Sequence, residues 1–70
     1  MNFDIGTVIR DGDKIGIVRN IIIAGTWTEE PLFNWTTSYE IVYDDQSVCI
    51  MTRESLIRLM EMGKVELIIK

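Results

Sequence analysis

Trp35-Thr36-Thr37-Ser38-Tyr39-Glu40-Ile41-Val42-Tyr43, then Asp44-Asp45-Gln46-Ser47, then Val48-Cys49-Ile50-Met51, is the stretch whose reading decides the fold. In the first nine residues Trp35, Thr37, Tyr39, Ile41 and Tyr43 share one side, and Thr36, Ser38, Glu40 and Val42 share the other. Alternation with period two, rich in β-branched and aromatic residues, predicts a strand with one buried face. Asp-Asp-Gln-Ser is turn chemistry, because short polar side chains bond their own backbone. A second strand from Val48 to Met51 completes a hairpin.

Outward from this hairpin the period changes. In Thr52-Arg53-Glu54-Ser55-Leu56-Ile57-Arg58-Leu59-Met60-Glu61-Met62-Gly63, residues Leu56, Leu59, Met60 and Gly63 fall at i, i+3, i+4 and i+7, one stripe of a helix. Thr52 is the expected N-cap and Gly63 the expected left-handed C-cap, so the spacing predicts one short α-helix over about residues 53–62. A last strand follows from Lys64 to Lys70. Upstream, Gly6 to Arg10 and Ile15 to Ile23 flank Asp11-Gly12-Asp13-Lys14, where Asp-Gly supplies the positive φ of a tight hairpin turn. The strand from Ile15 to Ile23 is apolar on both sides. It must bend so that its inward side changes, at a bulge or at Gly16, or be covered twice. Between the hairpins, Gly25, Pro31 and Asn34 punctuate residues 24–34, which read as a long connection.

The order hairpin, connection, hairpin, helix, strand predicts a mainly β chain of five strands closed as a barrel, since closure removes exposed edges. The glycine-punctuated first hairpin (Gly6, Val8, Gly12, Gly16, Val18, Ile21), the segment Tyr39–Gln46 and Leu56 before the last strand together resemble the SH3-like small barrels, of which Tudor and KOW modules are members. The resemblance implies a five-stranded SH3-like barrel with the short helix ahead of its last strand. It implies no functional residue. The first turn, Arg10-Asp11-Gly12-Asp13-Lys14, lacks the aromatic residue of a Tudor cage, and its aspartates oppose the RNA contact of a KOW motif.

The 70 residues are 47% hydrophobic and 26% charged, which fits one small domain over residues 1–70 and excludes a disordered chain. No apolar run approaches the length of a membrane span, and the start lacks the features of a secretory leader, so a cytoplasmic protein is expected. Net charge is −4, and residues 24–51 hold five acids with no Lys or Arg. Arg10, Lys14, Arg19, Arg53 and Arg58 make a sparse footprint for phosphates, so nucleic acid is the alternative partner and not the first.

Catalytic chemistry is poorly provided for. Histidine is absent, and the single cysteine, Cys49, lies between Val48 and Ile50 as a small strand hydrophobe. The pairs Asp11/Asp13, Glu29/Glu30 and Asp44/Asp45 fall in turns or loops, where turn hydrogen bonds and surface charge are their expected roles. No catalytic set, metal cluster or cofactor motif emerges, and no enzyme is expected. Function is expected instead at residues 24–38, where Trp27, Glu29, Glu30, Leu32, Phe33 and Trp35 combine aromatic anchors with negative charge. Two readings stay open. In one, these residues bind another protein with a basic or proline-containing surface, as an accessory or regulatory subunit of the kind viruses and mobile elements encode. In the other, Trp35 and Tyr39 fill the barrel while Trp27 and Phe33 fold the connection onto it. The apolar surplus of the second and last strands adds a third expectation, a homo-oligomer.

Overall fold

The computed structural model describes residues 3–27 and 33–69. Five antiparallel strands form one sheet: β1 (Val8–Asp11), β2 (Lys14–Trp27), β3 (Phe33–Tyr43), β4 (Val48–Thr52) and β5 (Val65–Ile69), with α1 (Arg53–Glu61) between the last two. Their spatial order is β4-β3-β2-β1-β5. The first and last strands are therefore neighbours, as a closing barrel requires.

Closure is the expectation the structure does not meet. Among the described residues β4 and β5 do not pair, so the sheet stays open with those two strands as its edges. The reason is the connection between them. A nine-residue helix, roughly 13 Å long, leads from β4 to β5 and packs against β3, β4 and β5. Its Leu56 is buried in the same core as Ile9, Val18, Tyr39, Ile41, Tyr43 and Val65. The helix thus covers the inner face where a β4–β5 ladder would otherwise draw the edges together.

The helix itself follows its sequence signals. Thr52 Oγ1 accepts from the Ser55 amide at 3.2 Å, the N-cap contact that satisfies an otherwise orphaned first-turn donor. At the other end Gly63 adopts φ +75°, its amide donates to Met60 O, and Lys64 N donates to Leu59 O. This pair of bonds is a Schellman motif, and the positive φ is why glycine stands there.

β2 changes its inward side, and the place is Arg19. Val18 pairs with Ile41 and Asn20 with Glu40, so Arg19 is an extra residue in the ladder. Before it Gly16 and Val18 face the core. After it Ile21, opposite Tyr39, takes over. The Arg19 guanidinium bonds Glu40 at 2.7 Å beside the bulge. Gly16 is not the bend; it allows a close approach described below.

The outer face carries an apolar row across four strands, Val8–Ile17–Val42–Val48, in direct register. With Ile15, Gly16, Tyr43 and Asp44, the first three of these residues line an open concavity of about 330 Å³. The N-terminal segment packs under the inner face, where Phe3 meets Tyr39 edge-on, ring centroids 5.3 Å apart. No helix among the described residues is long and apolar enough to cross a membrane.

Candidate functional site

Residues 24–34 are not the long connection that their glycine, proline and asparagine suggest. β2 continues to Trp27 and β3 begins at Phe33, with Ala24 opposite Thr36, Gly25 opposite Trp35, Thr26 opposite Asn34 and Trp27 opposite Phe33. Only residues 28–32 separate the strands. The ladder persists because a two-stranded ribbon satisfies backbone groups whatever its side chains are.

β1 pairs with β2 only as far as Ile17, and β4 pairs with β3 only from Ser38 onward. From Ile23↔Thr37 to Trp27↔Phe33, then, the ribbon has no third strand among the described residues and extends beyond the sheet as an arm about 17 Å long. The molecule measures 41 × 23 × 19 Å as a result.

Side chains on the arm follow the pleat of β3. Trp35 and Thr37 lie on the same side as Tyr39, Ile41 and Tyr43, which is the core side. Tyr39 is buried, whereas Trp35, four residues earlier, is 66% exposed. It lies past the end of the core, and the residue opposite is Gly25, which offers no side chain to cover it. Ile23 is the diagonal neighbour of Trp35 on that face and is 64% exposed. Sequence reasoning placed Trp35 in the candidate site and counted Ile23 only as the end of a strand apolar on both sides. The signal for Ile23 was its position past the bulge, which only the register reveals.

Of the other candidates, Trp27 and Phe33 are brought together as the last pair of the arm's ladder. Glu29, Glu30 and Leu32 lie outside the described residues. Of the two residues expected to fill a barrel, Tyr39 is buried in the core of the open sheet and Trp35 is exposed.

A second cluster joins the two hairpin turns at the opposite end of the sheet. Asp45 accepts from the Ser47 hydroxyl and from the Ser47 amide, the latter at 2.9 Å, and holds Lys14 Nζ at 3.1 Å. The Ser47 bonds, then Lys14, lower the Asp45 carboxyl to a pKa of about 2. Asp45 in turn raises the Lys14 ammonium above its ordinary value. Lys14 Nζ lies 5.5 Å from the ring centre of Tyr43, and the Tyr43 hydroxyl donates to Asp11 Oδ2 at 2.8 Å. Burial first, then the bond to Asp11, push that hydroxyl well above the ordinary phenol range. Lys14 to Asp45 and Tyr43 to Asp11 fasten one turn to the other, while Ser47 braces Asp45 within its own turn. Cys49 faces inward in β4 and packs at the core's margin. Among the described residues no three His, Cys, Asp or Glu side chains gather to hold a metal ion.

Comparison with family models, curated proteins and solved structures returned no match to this chain.

Proposed function

We propose that this chain is a non-enzymatic binding module, an opened relative of the SH3-like barrel, that holds another protein against the core-side face of its arm. The observation that carries the reading is the 66% exposure of Trp35 on a face whose other aromatic residues are buried. An indole two-thirds exposed beside the exposed Ile23 is an arrangement suited to an aromatic anchor for a pocket or a proline ring. Glu29 and Glu30, between the two strands of the arm, supply negative charge that steers a basic partner toward it.

Nucleic acid is the weaker partner. Arg10, Lys14 and Arg19 engage Glu66, Asp45 and Glu40 respectively, so three of the seven Lys and Arg side chains are offset locally. The reading is tested by capture from the native cell at two salt concentrations with wild type, Trp35→Ala and Asp13→Ala. A partner retained by wild type and Asp13→Ala, lost with Trp35→Ala and only modestly weakened by salt is the expected result. Capture that survives Trp35→Ala, or that collapses with salt, overturns it.

A further inference from the structure

The two edges of the sheet are protected very unequally. β5 carries Glu66, is flanked by Lys64 and Lys70, and slips register against β1 between Val8 and Ile9. Charge and a bulge are the devices that keep an edge strand from recruiting another. β4 has none of them. Val48-Cys49-Ile50-Met51-Thr52 contains no charge and no proline, and its register with β3 runs without a break. Its outward side chains Val48 and Ile50 are 51% and 61% exposed.

We infer that β4 is the edge along which two copies of this chain pair antiparallel, making one continuous ten-stranded sheet. Three features select a second copy as the occupant. A strand edge is self-complementary under a two-fold axis, so identical copies satisfy one another's ladder. Under a two-fold axis at Cys49 the exposed side chains Val48 and Ile50 lie opposite Ile50 of the partner subunit and Val48 of the partner subunit, on the face that carries the apolar row Val8–Ile17–Val42–Val48. The ends of β4 also differ in charge. Asp44 and Asp45 precede it, while Arg53 follows it, with Glu54 next on the helix. Antiparallel pairing sets the acidic turn of one protomer beside Arg53 of the partner subunit, and does so twice. The arm with Ile23 and Trp35 lies away from this edge, so the dimer does not depend on the proposed binding role.

A five-residue edge is about 17 Å long and buries less than the roughly 800 Å² per partner of a standard interface. The dimer is therefore reversible on dilution. Sedimentation equilibrium of the full chain from about 1 μM to about 1 mM is expected to show mass rising from one to two chains. Ile50→Lys is expected to weaken association at least about tenfold, Asp44→Arg several-fold, and Ile68→Lys, on the β5 edge, not at all. Amide exchange on wild type gives a readout independent of any variant's folding: residues 48–52 slow as concentration rises, relative to 65–69. A chain that stays monomeric up to about 1 mM leaves this edge to a strand of some other protein or to solvent, and overturns the inference. So does association that Ile50→Lys leaves intact, or exchange at 48–52 that ignores concentration.

Discussion

Gly16 lies so close to the ring of Tyr43 that a Cβ built on it would sit 2.9 Å from two ring carbons, and 2.7 Å from Ile41 Cγ2. Both neighbours are buried, and the Tyr43 ring is also tied down by its hydroxyl's bond to Asp11. Neither can retreat without opening the core. Gly16→Ala is therefore expected to destabilise by about 2–3 kcal/mol, as overpacking does. Urea unfolding followed by circular dichroism measures it, and a loss below about 0.5 kcal/mol shows that the ring yields.

Phe3 makes a second prediction about the core. It is 2% exposed and meets Tyr39 edge-on. Its segment is fastened by Gly6 N donating to Val18 O and by the Thr7 hydroxyl accepting from Asp4 N. Phe3→Ala removes a large buried ring and its aromatic contact, at a cost of about 3–4 kcal/mol. In so small a domain that is enough to populate the unfolded state, visible as a lowered urea midpoint.

Phe3 also marks a limit of what the sequence discloses. Nothing periodic surrounds it, and its place under the sheet depends on contacts with residues 18 and 39. Local chemistry was legible: Thr52 and Gly63 bound the helix, and the alternation from Trp35 to Tyr43 separates two faces. The arm was not, because Gly25 and Asn34 carry turn chemistry wherever they stand, and only their opposite residues in the ladder make them strand. Barrel closure was equally out of reach. Whether β4 meets β5 depends on where a nine-residue helix packs, which no single segment encodes. At the candidate site the residue type was readable in Trp35, while its exposure came from Gly25 across the ladder.

Asp45 sets an expectation for acid. Its folded pKa of about 2 lies below the ordinary 3.8, so the native state holds fewer protons than the unfolded chain between those values. The contribution is complete above about pH 4 and is lost as pH falls through about 2. Asp45→Asn keeps an acceptor for Ser47 and removes the charge facing Lys14. Urea midpoints at pH 2, 3 and 5 should fall less with acidity in that variant than in wild type. Parallel profiles would show that other carboxylates set the acid limb.

Gln46 adopts φ +70°, the only described non-glycine residue at positive φ. It closes the β3–β4 turn, where its amide donates to Tyr43 O at 2.9 Å. A left-handed conformation strains a side chain that carries Cβ, and glycine relieves the strain while adding freedom to the unfolded chain. The balance favours Gln46→Gly by about 0.5–1 kcal/mol, read as a rise of several degrees in Tm. No rise would mean that the entropy of the unfolded chain cancels the gain.

Trp35 and Tyr39 stand on one face of one strand, yet their truncation is expected to have opposite consequences. Tyr39 is 2% exposed and holds Phe3, so Tyr39→Ala costs about 3–4 kcal/mol. Trp35 lies past the core, and Trp35→Ala is expected to change stability by no more than about 0.5 kcal/mol. A direct optical check uses Trp27→Phe, which leaves Trp35 as the one indole. Its fluorescence should then be quenched by acrylamide well beyond the level of a buried indole, in keeping with its 66% exposure. Protection of that indole at dilutions where the chain is monomeric would place Trp35 against protein, and with it would go the aromatic anchor on which the binding role rests.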